Sequence, residues 1–197
     1  MTFRLGLTGS IGMGKSTTAR LFAEEGCAVW DADAAVHRLY AQGGAGVAAI
    51  AAIFPEAVAE GAVDRGRLRA IIAEDPTALG RIEALIHPLV AQDRADFIAR
   101  QDADVTVLDI PLLYETGGER EFDAVAVVSA PPGEQRARVL ARGTMSEADL
   151  KAILARQVPD EEKRARADYV IETDTLDHAR AQVRAILAKI RERASDA

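Results

Sequence analysis

The chain lacks several features that would place it in a familiar class of proteins. It has 197 residues, no asparagine, one cysteine and no long uncharged apolar run. Cys27 alone cannot form an internal disulfide, so the composition suits a reducing compartment. No stretch approaches the roughly 18 apolar residues of a membrane-spanning helix, and the first residues lack the charged segment and apolar run of a signal peptide. We therefore expect a cytoplasmic protein that does not enter a membrane.

An excess of basic charge is also absent. The chain has 24 Lys and Arg against 31 Asp and Glu, which gives a formal net charge of −7. Proteins that bind duplex nucleic acid usually carry the opposite sign, so we expect no nucleic-acid partner. Hydrophobic residues make up 49% of the chain, which is enough for a buried core. At roughly 150 residues per domain, we predict a single domain over residues 1–197 that acts as a monomer or a small homo-oligomer.

Short apolar runs alternate with helical patterns along most of the chain. The apolar runs predict strands over residues 3–7, 27–30, 104–110, 124–128 and 169–171. Helical spacing predicts helices over residues 15–25, 133–142, 146–156, 159–166 and 177–193. Residues 34–102 are predicted to be a helical insertion without a strand, broken by turn signals that include His87-Pro88. Five strands, each followed by a helix, predict an α/β fold with a doubly wound, five-stranded parallel sheet.

A glycine-rich segment lies between the first predicted strand and the first predicted helix. It matches the P-loop pattern G-x-x-x-x-G-K-[ST] and continues into Thr17; its residues are Gly9, Ser10, Ile11, Gly12, Met13, Gly14, Lys15 and Ser16. Glycines let backbone N–H groups face a phosphate, and the helix that begins here adds the positive end of its dipole. We predict that Lys15 reaches the β- and γ-phosphates of ATP and that Ser16 is a ligand of Mg²⁺.

The absent asparagine narrows the kind of P-loop protein. A GTP switch reads guanine with Asn-Lys-x-Asp, which this chain cannot contain, so we favour a small phosphotransferase. Asp31 and Asp33 follow the second strand, beside the P-loop under the usual strand order. A carboxylate there can orient the attacking hydroxyl and accept its proton. We favour Asp33 for this role; the alternative is that either residue only caps the following helix.

Further charged residues are candidates for the same chemistry. Asp109 ends the third predicted strand, where a carboxylate can hold the Mg²⁺ shell, and the alternative is a capping residue. Arg138 and Arg142 are four residues apart on one predicted helix and can neutralise charge on the transferring phosphoryl group. The alternative for them is a solvated helix face. We interpret the run over residues 161–166 as an ordinary charged helix surface.

Several strings, in order along nearly the whole chain, resemble the dephospho-coenzyme A kinase family. They are Leu5-Gly6-Leu7-Thr8-Gly9 through Lys15-Ser16-Thr17, Asp31-Ala32-Asp33, Ile86-His87-Pro88, Asp109-Ile110-Pro111-Leu112-Leu113-Tyr114-Glu115, Gln135 with Arg138 and Arg142, and Ala167-Asp168-Tyr169-Val170-Ile171. The resemblance implies transfer of the ATP γ-phosphoryl to the ribose 3′-hydroxyl of dephospho-CoA, with Asp33 at the acceptor hydroxyl and with Arg138 and Arg142 close to the phosphates. We also expect His87 and Leu113 to bind the substrate; the alternative for His87 is a structural role.

The resemblance also implies a division of the chain. A P-loop kinase core would comprise residues 1–33, 103–130 and 167–197, a helical region over 34–102 would bind the acceptor, and 131–166 would form a lid. Many members have Asp-Asn where this chain has Glu172-Thr173, so we carry over no adenine contact to that loop. Two alternatives stay open: another small-molecule or nucleoside kinase with the same core, and a nucleotide-dependent binding switch with negligible turnover.

Overall fold

The computed structural model describes residues 2–195, which form nine helices and seven strands. The strands are β1 Phe3–Thr8, β2 Ala28–Asp31, β3 Val58–Ala59, β4 Ala62–Val63, β5 Val105–Asp109, β6 Ala124–Ser129 and β7 Tyr169–Glu172. The helices are α1 Lys15–Glu24, α2 Ala32–Tyr40, α3 Ala45–Ile53, α4 Arg65–Glu74, α5 Ala78–Ala99, α6 Pro132–Ala141, α7 Glu147–Leu154, α8 Asp160–Arg166 and α9 Leu176–Ser195. Among the described residues, none of these helices combines the length and the apolar character needed to cross a membrane.

Five of the strands form one sheet in the order β2-β5-β1-β6-β7. β1 pairs in parallel with β5 and with β6, and β6 pairs in parallel with β7, which confirms the predicted five-stranded parallel sheet. β5 lies between β2 and β1, so the strand beside the P-loop strand is the one that ends at Asp109. One detail of the prediction is wrong: β5 is followed by a loop with a 3₁₀ turn at Gly118–Glu121 rather than by an α-helix.

The sheet has a core cluster on each face because successive strand residues point in opposite directions. β6 illustrates this alternation. Its residues Ala124, Ala126 and Val128 belong to a cluster with α1 and α9, whereas Val125 and Val127 pack with Leu113 and Tyr114 on the other side. All six residues of β6 are buried, which explains why the sequence shows a continuous apolar run there.

Asp31–Arg100 forms a compact unit of its own, and the described residues before and after it form the other. The helical prediction for this unit is mostly confirmed, but it misses a short antiparallel hairpin of β3 and β4. His87-Pro88 is not a turn, because α5 continues through Pro88 to Ala99. Ile82, Ile86 and Leu89 on the two sides of Pro88 pack into the core of this unit. That packing offsets the backbone hydrogen bond that a proline removes from a helix.

Candidate functional site

Two glycines give the P-loop its shape. Gly14, with φ of +93°, precedes α1, and a Cβ there would lie 3.2 Å from Thr173 Oγ1. No side chain caps the first turn of α1 in the described part of the chain, so its N–H groups remain open to an anion. Gly12, with φ of +79°, passes so close to α6 that a Cβ would come within 2.5 Å of Val139 Cγ2. The segment therefore has the backbone that a phosphate cradle requires.

The ammonium group of the P-loop lysine, Lys15, is held by a carboxylate from the neighbouring strand. Lys15 Nζ donates to Asp109 Oδ1, and the two side chains are 16% and 2% exposed. The pair forms because Leu7 of β1 lies opposite Asp109 in the parallel register, so both strands end at the same edge of the sheet. The structure thus brings together two of the residues that the sequence predicts for phosphate and metal binding.

The oxygen donors near the P-loop suit Mg²⁺. Ser16 and Thr17 lie in the first turn of α1 and are exposed, and Asp109 supplies a carboxylate. No group of three or more His, Cys, Asp or Glu side chains is placed to hold a metal ion within residues 2–195. Mg²⁺ usually binds through one or two protein ligands, water and substrate phosphates. A hydroxyl and a carboxylate at the P-loop therefore fit this ion without a dedicated cage.

The tip of the P-loop is fixed by contacts from outside it. Gln135 Nε2 donates to the carbonyl of Ile11 at 2.8 Å, and the Ile11 N–H donates to Gln157 Oε1 at 3.3 Å. The carbonyl of Met13 accepts from Thr173 Oγ1 at 2.7 Å. The sequence predicts no contact for Gln157 or Thr173. No local pattern could have indicated one, because each lies at least 146 residues from its partner.

Of the two predicted arginines, Arg138 is the one that bonds other side chains within residues 2–195. Its guanidinium donates to Thr173 Oγ1 at 2.9 Å, to the Thr173 carbonyl, and to Glu134 Oε2 at 2.6 Å. Arg142 caps the carboxyl end of α6 and is exposed. A third arginine of this helix, Arg136, pairs with Glu147 on the surface. Arg138 therefore connects α6 to the loop after β7, beside the P-loop.

The charged run of α8 is not only a solvated surface, and the prediction is wrong for Lys163. This side chain is fully buried, and its Nζ lies 2.8 Å from Glu115 Oε1, without the alignment of a hydrogen bond. Glu115 Oε1 also accepts from the Val158 N–H at 2.9 Å. Elsewhere on α8, Asp160 Oδ2 accepts from Ser129 Oγ at 2.6 Å. These contacts anchor α8 to the loop after β5 and to the end of β6.

The acceptor-side candidates lie in the other compact unit. Asp31 is the N-cap of α2, and its Oδ1 accepts from the Ala34 N–H at 3.0 Å. The capping alternative is therefore confirmed for Asp31 but does not apply to Asp33, which lies in the first turn of α2 and is exposed. His87 is exposed on α5. Asp33 keeps a carboxylate that no capping role occupies.

Leu113 has a structural position. Its side chain is 1% exposed and packs with Tyr114, Val125 and Val127 beneath the sheet. Its neighbour Leu112 is 46% exposed, so Leu112 is the side chain of this pair that a ligand can reach. Burial also raises the pKa of Tyr114 to about 12, which keeps that phenol neutral. The substrate-binding role of Leu113 stays a prediction. Because its side chain is buried, Leu113 could contact a substrate in this conformation only through its backbone.

Comparison with known proteins agrees with this geometry. The family model for dephospho-CoA kinase (CoaE) matches residues 3–178. A dephospho-CoA kinase of Ruegeria pomeroyi is 68% identical over 191 residues, which cover 97% of each chain. The crystal structure of TT1252 from Thermus thermophilus superposes with a TM-score of 0.85 at 35% identity and covers 95% of this chain and 97% of that one.

A dephospho-CoA kinase from Campylobacter jejuni has a TM-score of 0.66 at 23% identity, and covers 96% of this chain and 97% of that one. Similarity at that identity establishes only the fold, and it confirms the predicted P-loop kinase fold. The family model spans most of this chain, and the Ruegeria relative is similar along nearly its whole length. The chain therefore belongs to the dephospho-CoA kinase family.

Proposed function

We propose that the protein transfers the γ-phosphoryl group of ATP to the ribose 3′-hydroxyl of dephospho-CoA and releases coenzyme A and ADP. The observation that carries this proposal is a P-loop whose Lys15 is held by Asp109, in a chain of this kinase family. In the reaction a bond forms between the 3′-oxygen and the γ-phosphorus. The bond from that phosphorus to the bridging oxygen of ADP breaks, and the hydroxyl proton goes to a carboxylate.

The P-loop would hold the triphosphate. The open N–H groups at the start of α1 would bind the phosphates with little reorganisation, because Gly12 and Gly14 already have left-handed φ angles. Lys15 adds a charge whose position is set by Asp109. Such prearranged donors and charges stabilise the negative charge that spreads over the phosphoryl oxygens in the transition state.

Asp33 would act on the acceptor. It is exposed, lies in the first turn of α2, and leaves the capping role to Asp31. Its carboxylate can therefore accept a hydrogen bond from the 3′-hydroxyl, orient the oxygen for attack and take the proton. Because the transition state for phosphoryl transfer is loose, orientation contributes more than basicity.

Mg²⁺ would be held by the Ser16 hydroxyl and, through water, by the Asp109 carboxylate, together with phosphate oxygens. When bound, the ion neutralises phosphate charge. Arg138 and Arg142 would complete that neutralisation from the end of α6. Arg138 is already held at the loop after β7 by Thr173, and Arg142 is exposed at the last turn of α6, where it is free to reach a ligand.

The division of labour along the chain is part of the proposal. Residues 34–102 would bind the acceptor with His87, residues 131–166 would cover the nucleotide, and the rest would form the nucleotide-binding core. We also propose a cytoplasmic enzyme that acts as a monomer or a small homo-oligomer. The single cysteine of the chain, Cys27, supports that location, because a fold without an internal disulfide suits a reducing compartment.

Product analysis tests the proposal most directly. The protein is incubated with Mg-ATP and dephospho-CoA, and the position of the new phosphate is determined by ³¹P and ¹H NMR. We expect phosphate on the ribose 3′-oxygen and one ADP per product. ADP release that is stimulated by adenosine or shikimate and not by dephospho-CoA would instead identify another small-molecule kinase. Slow hydrolysis without any acceptor effect would identify a nucleotide-dependent switch.

Asp33→Asn tests the acceptor side. The variant keeps the shape of the side chain but removes the charge and the proton acceptor, so we expect kcat to fall by about 10²–10⁴-fold. ATP affinity should stay within a few-fold of that of the unchanged protein. The matched control is Asp31→Asn, which retains a good N-cap and should leave kcat nearly unchanged. A loss of ATP affinity at constant kcat would show that Asp33 does not act on the acceptor.

A further inference from the structure

Ile11, at the tip of the P-loop, has both of its backbone polar groups held by glutamine side chains. Gln135 Nε2 donates to the Ile11 carbonyl at 2.8 Å, and Gln157 Oε1 accepts from the Ile11 N–H at 3.3 Å. The N–H belongs to the peptide plane between Ser10 and Ile11, and the carbonyl belongs to the next plane. Two consecutive peptide planes of the cradle are therefore oriented by side chains from a distant part of the chain.

The two glutamines have different supports. Gln135 lies on α6 and is 7% exposed. Its backbone carbonyl oxygen would be 3.1 Å from a Cβ at Gly12, so α6 packs directly on the P-loop. Gln157 is half-buried and lies between α7 and α8. Its side chain is not enclosed by the core, so its position depends on the backbone that carries it.

That backbone is fixed by a carboxylate that is largely, though not fully, buried. The N–H of Val158, the next residue, donates to Glu115 Oε1 at 2.9 Å. The same oxygen lies 2.8 Å from Nζ of the fully buried Lys163 on α8. Glu115 follows β5, the strand that ends at Asp109. The Glu115–Lys163 pair thus holds Gln157 at the P-loop from the loop that follows β5, the strand that supplies the partner of Lys15.

We propose that Gln157 is a positioning residue for phosphoryl transfer. Together with Gln135 it sets the orientation of the peptide planes on either side of Ile11. These planes lead into Gly12, so they determine where the N–H groups of the cradle point. Small errors in such positions lower the rate of a reaction that depends on alignment. The inference rests on the proposed function, because it assigns a role within the phosphate cradle.

Isosteric Gln→Glu substitutions separate the two contacts. Gln157→Glu keeps an oxygen that can accept from the Ile11 N–H, whereas Gln135→Glu replaces the donor with an oxygen facing the Ile11 carbonyl. We expect Gln157→Glu to leave hydrogen exchange at the Ile11 amide, measured by NMR, close to that of the unchanged protein. Gln157→Leu removes the acceptor, and exchange at that amide should accelerate by roughly 10-fold. Gln135→Glu should shift the Ile11 and Gly12 amide resonances.

Kinetics give the second readout. For Gln157→Leu we expect kcat to fall by roughly 10-fold, with the KM for dephospho-CoA and the thermal midpoint nearly unchanged. A purely structural glutamine would lower the midpoint instead and leave the kcat of the folded protein intact, and that result would overturn the proposal. Gln92→Leu is the matched control, because among the residues that the structure describes the Gln92 side chain bonds just Asp96 on its own helix; exchange at the Ile11 amide should not change.

The amide measurement also keeps this inference separate from the proposed function. Exchange at Ile11 requires no turnover, so it reports on the contact even if the protein phosphorylates another acceptor. Unchanged exchange at Ile11 in Gln157→Leu would contradict the contact itself. Faster exchange with kcat within two-fold of the unchanged protein would contradict the positioning role. Absence of transfer to dephospho-CoA by the unchanged protein would contradict only the proposed function.

Discussion

The candidate residues of the two compact units differ in what else they do. On the nucleotide side, Lys15 is paired with Asp109 and Arg138 is bonded to Thr173. In the unit Asp31–Arg100, Asp33 and His87 are exposed, and neither side chain has a hydrogen bond or an ion pair within the described residues. The candidates on the nucleotide side therefore make contacts that also stabilise the fold. The side chains of Asp33 and His87 make no such polar contact within the described residues.

This difference determines how substitutions should behave. A residue that holds the fold as well as a ligand changes stability and activity together when it is replaced. A residue with no other contact changes activity alone. Asp33→Asn should therefore be a nearly pure kinetic variant, whereas changes around the P-loop should combine both effects. Each prediction below tests one side of this distinction, and they run from the largest expected effect to the smallest.

Lys163→Met should have the largest effect on stability. It leaves the carboxylate of Glu115, which is 12% exposed, without its cation, and breaking a buried pair in this way typically costs about 3–5 kcal/mol. Urea denaturation measures the loss. Combining it with Glu115→Gln, which keeps the acceptor for Val158 N–H, should recover much of that free energy. A loss below about 1 kcal/mol in the single variant would show that α8 is not anchored by this pair.

Lys15→Ala should reduce kcat by at least ~100-fold, because a prearranged charge on the phosphates is lost. The same change leaves Asp109, which is 2% exposed, without its lysine. Lys15 itself is 16% exposed, so water can replace it more readily than it can replace Lys163, and we expect a smaller loss of about 1–3 kcal/mol in the free energy of unfolding. Steady-state kinetics and urea denaturation measure the two effects. Lys189→Ala, at an exposed site on α9, is the control. A large loss of kcat at an unchanged free energy of unfolding would show that Lys15, like Asp33, does not stabilise the fold.

The sequence predicts those features that are encoded locally. The P-loop glycines signal their own backbone conformation, and the apolar runs of β5 and β6 signal buried strands. The burial of Lys163 could not be predicted, because its partner Glu115 lies 48 residues earlier and α8 reads as a charged surface helix. The turn predicted at His87-Pro88 is wrong for a related reason. Side chains of α5 on both sides of Pro88 pack into the core, and this packing keeps the helix continuous.

Asp31→Ala should have a moderate effect, and only on stability. It removes the N-cap bond to the Ala34 N–H, a change that typically costs about 1 kcal/mol. Asp33→Ala, two residues later, removes no cap and should leave the free energy of unfolding almost unchanged while it lowers kcat. Measuring both quantities in both variants separates the structural carboxylate from the chemical one. Equal losses of stability in the two variants would remove the distinction within this unit.

The smallest expected effect concerns the turn between β3 and β4. Glu60 and Gly61 have φ of +51° and +76°, the left-handed pair of a two-residue hairpin turn, which favours Asn-Gly. A glutamate pays a steric penalty in that region, so Glu60→Asn should raise the free energy of unfolding by about 0.5–1 kcal/mol. Gly61→Ala should have the opposite sign. Since neither residue has a role in the proposed chemistry, kcat should not change, and a kinetic effect of Glu60→Asn would show that the hairpin takes part in acceptor binding.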